Sequence, residues 1–194
     1  MRIGLIFVII ILIIVGVAYF FLLPSNKATD NISDSQLPLL MIITSPAFSH
    51  NGQVPKKYTC DGEDINPPLV LGGVPESAKS LVLIVDDPDA PRGTLRLGSG
   101  QAWVHWTVWN INPQTTAIAE NGVPTDAVEG TTDFGRTGWG GPCPPSGTHR
   151  YFFKIYALKT SLDLPSTARK TDLEKAMEGH ILDQAELIGL YKRQ

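Results

Sequence analysis

Residues 138–158 leave this chain the fewest choices. Glycines and prolines crowd around Cys143 in the first half of the stretch, a composition that propagates neither a helix nor a ladder and so demands a tightly bent loop. The second half turns abruptly into a strand. Under period-two alternation His149, Tyr151, Phe153 and Ile155 share one face, and Arg150, Phe152, Lys154 and Tyr156 the other. A rigid loop therefore delivers a histidine and a tyrosine side by side, and such a junction predicts a small-ligand site.

The 194 residues, 43% of them hydrophobic, suffice for one globular domain and an appendage. The appendage is expected at the N-terminus. Residues 3–23 form an almost unbroken apolar run without a charge, and about twenty residues at roughly 1.5 Å rise each cross a hydrocarbon core of about 30 Å. This predicts an uncleaved transmembrane anchor over residues 1–24. A cleaved signal peptide is the rival reading, but its apolar core is usually about 7 to 15 residues and is followed by small residues. Arg2 precedes the run, while Lys27 behind it is offset by Asp30 and Asp34. That bias predicts a single-pass membrane protein with a cytoplasmic N-terminus and an extracytoplasmic domain. Residues 25–40, rich in Ser, Asn and Asp, read as a flexible stalk, and globular sequence is expected over residues 41–194.

The net charge of −3 carries no basic nucleic-acid footprint. Cys60 and Cys143 fit an oxidising compartment in which one bridge closes a long loop; two unrelated buried thiols are the alternative, and with the expected topology the bridge is the favoured reading.

Several strands are legible. Residues 79–86 form a continuous apolar run typical of a strand buried on both faces, and the run stops at Asp87-Pro88-Asp89-Ala90-Pro91. Residues 102–111 have the aromatic and β-branched content of a second central strand, with Trp103, His105, Thr107 and Trp109 expected on one face. Residues 42–44 and 69–71 read as short strands, and Asn51-Gly52 as a turn suited to a hairpin or loop. Near the end, Thr171-x-x-Glu174 resembles a capping box, and Leu173, Met177, Ile181, Ala185 and Ile188 fall at helical spacing. An amphipathic helix over residues 171–190 is expected, packed on a mostly β domain.

Three strand-and-loop junctions deposit polar groups: Asp87 and Asp89 after one strand, His105 within a second, His149 and Tyr151 after the glycine-proline loop. Each has a plain reading alone. Asp-Pro-Asp forms a turn by itself, and a lone histidine or tryptophan in an aromatic strand is ordinarily core. Their joint occurrence points to a site. A carboxylate fixes an imidazole's tautomer and raises its basicity, while loop amides and a phenol supply donors, a combination that suits a small anion such as phosphate. Two other chemistries use the same groups. Cys143 or Ser146 with His149, oriented by Asp87, would make a hydrolytic nucleophile, although no Gly-x-Ser-x-Gly elbow is present. His105, His149, Asp87 and Asp89 could hold zinc, although the phenol and glycine amides favour an anion. The expectation is a binding module that is not an enzyme and needs no cofactor or metal.

Asp87-Pro88-Asp89-Ala90-Pro91, Trp103-Val104-His105-Trp106 and residues 141–151 together resemble the phosphatidylethanolamine-binding protein family, in its prokaryotic Raf kinase inhibitor-like branch. Tyr58-Thr59-Cys60-Asp61-Gly62 and His180-Ile181-Leu182 are similar to that branch as well. The resemblance covers residues 41–193. It implies a large central antiparallel sheet packed on a smaller sheet, short flanking helices, and a surface pocket for phosphate-like anions and phospholipid head groups. Carried over motif by motif, the pocket would use Asp87, Trp103, His105, the Gly141-Pro142 backbone, His149 and Tyr151, with Asp89 as a structural companion. The family is also known for inhibiting kinases or proteases through surface contacts, so a protein partner is a further expectation. The chain departs from eukaryotic members at Val104, where they commonly carry a second histidine, and in a shorter loop before His149.

Overall fold

The computed structural model describes residues 40–90 and 102–193. In chain order its elements are β1 (Ile42–Thr44), β2 (Gly52–Gln53), β3 (Leu69–Gly72), β4 (Ser80–Asp87), β5 (Trp103–Ile111), β6 (Ala117–Ile118), β7 (Val128–Glu129), β8 (His149–Leu158), the helix α1 (Lys170–Met177) and β9 (Ile181–Tyr191).

β4 is buried at every position, as its unbroken apolar run requires. It forms the middle of a six-stranded sheet ordered β2-β9-β8-β4-β5-β7, flanked by β8 and β5 in antiparallel pairing. A three-stranded antiparallel sheet, β1-β3-β6, covers one face. There Ile43, Leu69, Leu71 and Ile118 pack with Leu83, Val85, Trp106, Val108, Phe153 and Ile155 of the large sheet. Val82 and Ile84 alternate to the opposite face, where Leu173 and Met177 of α1 join Trp109 and Leu158 in a second cluster. Each buried aliphatic side chain contributes roughly 1.5–3 kcal/mol, so β4 is held from both sides. The expected two-sheet architecture is therefore present.

One irregularity decides where the site lies. Val85 pairs with Trp106, but the next residue, Asp86, pairs with Val104, so His105 is an extra residue in β5. Such a bulge re-aims a side chain. Trp106 faces the inter-sheet core, and strict alternation would turn its neighbour His105 away from that side; the bulge brings the imidazole back toward Tyr151, with the rings 5.1 Å apart. The expected common face of Trp103, His105, Thr107 and Trp109 thus breaks in the middle: Trp109 packs in the α1-side cluster.

The C-terminal expectation is corrected. The helix ends at Met177, Gly179 turns the chain at φ 71°, and the remainder is β9, which pairs with β8 from His149↔Tyr191 to Leu158↔Ile181. Ile181, Ala185 and Ile188 fit a helical stripe, yet Leu187, Gly189 and Tyr191 are buried in strand alternation. Hydrogen bonding along the whole of β8 wins over that stripe. Asn51 does turn the chain at φ 61°, but β2 then joins β9 in parallel rather than closing a hairpin.

The membrane expectation is corrected too. Among the described residues no helix is long and apolar enough to cross a membrane, so what they form is the mostly β domain alone, and the single-pass, extracytoplasmic placement loses its support. The expected anchor over residues 1–24 lies outside the described residues, as does the expected stalk over residues 25–40 apart from Leu40.

Candidate functional site

The first strand to reach the site is β4, whose last two residues point to opposite faces. Asp86 turns to the α1 side, where Lys154 and Lys170 each approach its carboxylate at 2.8 Å. Asp87 turns to the core side and is 2% exposed. The turn after it is built on its carboxylate: Oδ1 accepts the backbone N–H groups of Asp89 at 2.8 Å and Ala90 at 3.0 Å. Its Oδ2 accepts the Nδ1–H of His149 at 2.7 Å in a buried contact.

Alternation in β8 makes the neighbouring pair the outward copy of this one. Arg150 points to solvent and grips Asp89 through Nε at 2.8 Å, Nη2 at 2.7 Å and its backbone N–H at 3.0 Å. Hydrogen bonding to Arg150 holds the Asp89 carboxyl below its ordinary range despite partial burial. The Asp-x-Asp spacing therefore clamps the β4 turn onto the start of β8, one aspartate inside and one outside.

His105 enters from the bulge. Its carbonyl accepts the Gly140 N–H at 3.0 Å, and its Nδ1 lies 2.5 Å from the Gly140 oxygen. A carbonyl only accepts, so Nδ1 carries the proton and Nε2 is the remaining ring nitrogen. Burial pushes the imidazole below its ordinary 6.5, although the Gly140 carbonyl and the charges of Asp87, Asp86 and Asp133 act the other way. The ring meets Tyr151 and Phe134 edge-on, and Phe134 in turn meets Trp103. Glycine is required at 140 because a Cβ there would collide with the Phe134 ring.

Tyr151 is 1% exposed, and its hydroxyl has no hydrogen-bond partner. Burial, reinforced by the Asp87 charge, raises its pKa far above the usual phenol value, while the Cys143 backbone opposes that shift without completing a hydrogen bond. The hydroxyl therefore stays protonated.

These side chains bound a cavity of about 200 Å³ lined by Asp87, Trp103, His105, Phe134, His149 and Tyr151 together with Ala90, Cys143, Pro144 and Pro145. That is below the roughly 300–1,000 Å³ of drug-sized pockets and suits a small polar group. Five residues expected from the sequence, Asp87, Trp103, His105, His149 and Tyr151, are thus brought together. Asp89 stands behind them on Arg150. Gly141 and Pro142 do not line the cavity: the Gly141 amide donates to Asp64 Oδ1 at 2.7 Å, and the Pro142 carbonyl accepts the Cys60 N–H at 3.2 Å. Their successors Cys143, Pro144 and Pro145 form the wall instead. Cys143 is bonded to Cys60, with Cα atoms 5.5 Å apart, so no thiol is available there as a nucleophile. Ser146 is exposed and away from the cavity lining. Among the described residues no three His, Cys, Asp or Glu side chains are placed to hold a metal ion.

Sequence reasoning missed Phe134, the Gly140 anchor and Arg150. Phe134 lies in an irregular segment with no periodic signal. Arg150 was visible as the outward neighbour of His149, and the matched spacing of Asp87-Pro88-Asp89 could have paired it with Asp89.

Comparison with known proteins agrees with this architecture. The family model described as phosphatidylethanolamine-binding protein matches residues 44–192. A UPF0098 protein of Methanothermobacter thermautotrophicus is 51% identical over 158 residues, covering 79% of this chain and 99% of the relative. Another from Aquifex aeolicus is 48% identical over 161 residues, covering 79% and 90%. Among solved structures, the phosphatidylethanolamine-binding protein homologue CT736 of Chlamydia trachomatis superposes with a TM-score of 0.75 at 43% identity, covering 80% of this chain and 99% of that one. YbcL of E. coli, described as a new member of the mammalian PEBP family, gives 0.72 at 32% identity, covering 79% and 99%. With bacterial and archaeal relatives matched along nearly their whole length, this chain belongs to the phosphatidylethanolamine-binding protein family.

Proposed function

We propose that the protein is a non-enzymatic module that binds a small anion, inorganic phosphate or a phosphorylated head group such as phosphoethanolamine, in the cavity between the ends of β4, β5 and β8. The observation that carries this reading is the Tyr151 hydroxyl, a protonated donor without a partner, buried against the His105 ring in a cavity that His149 also lines. A buried polar group left unpaired costs on the order of 1–3 kcal/mol, so a ligand oxygen that accepts from it recovers that amount. His149 supports the same reading. Its Nδ1–H is taken up by Asp87, which leaves Nε2 as the ring position open to a ligand, and in the imidazolium form that position also donates. The Asp87 charge is turned inward to His149 and two backbone amides, which moderates its repulsion of an anion.

Isothermal titration of the full chain with phosphate and phosphoethanolamine at low salt tests the proposal. Saturable binding is expected, and Tyr151→Phe is expected to weaken it roughly tenfold or more, the equivalent of one charge-assisted hydrogen bond. Absence of heat from the unmodified protein, or equal affinity in Tyr151→Phe, would sink it.

A further inference from the structure

We propose that the bridge between Cys60 and Cys143 is a redox control on the anion site: closed, it fixes the loop wall beside the Tyr151 hydroxyl, and its reduction releases that wall and weakens anion binding. The inference rests on the anion-binding reading and names the regulation of that same site.

Cys143, Pro144 and Pro145 form the loop side of the cavity. The residues just before them are tied firmly to the body. Gly140 exchanges two hydrogen bonds with His105, and the Gly141 amide donates to Asp64. Gly141 also lies so close to the Tyr58 and Thr59 backbone that a Cβ there would collide with it. The residues just after are not tied. Among the described residues, residues 144–148 form no hydrogen bond or ion pair. Residues 145–148 are exposed, and Gly147 turns at φ 71° in open space. The ladder with β9 resumes only at His149. The sulfur bridge is therefore the last tie on the wall before β8.

Cys143 matters to a ligand through its backbone as well. It lowers the Tyr151 pKa against the effect of burial, which requires a donor, so its N–H is directed toward the phenol. Among the described residues that N–H completes no hydrogen bond. Two donors, the Cys143 amide and the Tyr151 hydroxyl, thus border one space, and an anion accepts from both only while their separation is fixed. With the bridge open, a ligand must first reorder the segment from Cys143 to Thr148, and that lost conformational freedom is subtracted from its affinity.

Both cysteines are exposed, so a dithiol, free or on a protein, reaches them in the folded chain. One of its thiolates attacks a sulfur of the bridge, the S–S bond breaks, and its second thiol resolves the mixed disulfide. Two electrons and two protons pass to Cys60 and Cys143, which become thiols, while the dithiol is oxidised to its disulfide. Neither hydrophobic cluster contains Cys60 or Cys143, so the two sheets do not rely on the bridge for their packing.

The experiment is calorimetric titration of the full chain with inorganic phosphate and phosphoethanolamine, first bridged and then reduced with dithiothreitol, with far-UV circular dichroism recorded on each sample. Affinity for both probes is expected to fall by roughly tenfold or more on reduction, the loss of one well-placed hydrogen bond, and to return on reoxidation. The sheet signal is expected to persist throughout. Cys60→Ser/Cys143→Ser is expected to bind at the reduced level and to ignore the reductant; if that variant does not fold, the reduced unmodified chain decides. Coupling is reciprocal, so saturating phosphate is expected to shift the equilibrium with dithiothreitol toward the bridged form by the same factor, about 30 mV for a tenfold change. Binding that is equal or tighter after reduction, or a dithiol equilibrium that phosphate does not move, overturns this inference and leaves the anion site standing. Loss of the sheet signal on reduction overturns it as well, because weaker binding then reports unfolding. Failure of phosphate to bind the bridged protein overturns the anion site and this inference with it.

Discussion

Burial holds the His105 imidazole below its ordinary 6.5, which makes stability sensitive to mild acid. The unfolded chain takes up a proton at this position as pH falls through 6.5, while the folded ring resists it. The contribution is thus fully present above 6.5 and is lost as pH falls from there through the lower folded value. Asp89, whose folded value is depressed below 3.8, adds an acid loss only in the lower range. The unfolding free energy measured against pH is therefore expected to begin declining below pH 6.5, with a slope from His105 of at most about 1.4 kcal/mol per pH unit, the limit for one proton. In His105→Gln this part of the slope disappears; an unchanged profile would refute the assignment. His105 was legible in the sequence as a candidate, but its tautomer was not, because the Gly140 carbonyl that sets it lies 35 positions away. Gly141 shows the reverse case. Its glycine-rich setting marked its amide for a ligand, yet Asp64, 77 positions earlier, takes that amide.

The element that shapes the cavity wall is the loop before β8. It is held at one end by His105 and Gly140 and in its middle by the bridge from Cys143 to Cys60, which spans 83 positions. A cross-link across so long a segment restricts the unfolded chain strongly, by about 2–4 kcal/mol in typical cases. Both cysteines are exposed, so a reductant can reach them in the folded protein. Denaturant unfolding with and without reductant is expected to differ by that amount, and equal midpoints would show that the loop is secured by its other contacts alone. The bend and the wall were readable from the run of prolines and glycines, since those residues restrict or free the backbone locally. The fate of residues 181–191 was not. Their apolar positions satisfy a helical stripe and a strand alternation at once, and only the presence of β8 as a lateral partner resolves the ambiguity.

At the scale of the molecule, residues 38–194 cluster as a unit of their own, and both hydrophobic clusters are built from residues within it. A chain starting at Pro38 is accordingly expected to unfold with the same midpoint and to bind phosphate with the same affinity as the full chain. A lowered midpoint in thermal unfolding would show that the preceding segment completes the core. The sequence by itself determined the two-faced burial of β4, the turn at Asp87-Pro88-Asp89 and the pairing of His149 with Tyr151 on one face of β8. Those features depend on apolar content, on backbone restriction and on a period of two, all of which act between near neighbours. Tertiary structure alone decided the bulge that returns His105 to the cavity, the strand at the C-terminus and the ring of Phe134 against His105. Each rests on hydrogen bonds or packing between segments distant in order, and the energy of such contacts appears only when the partner is in place.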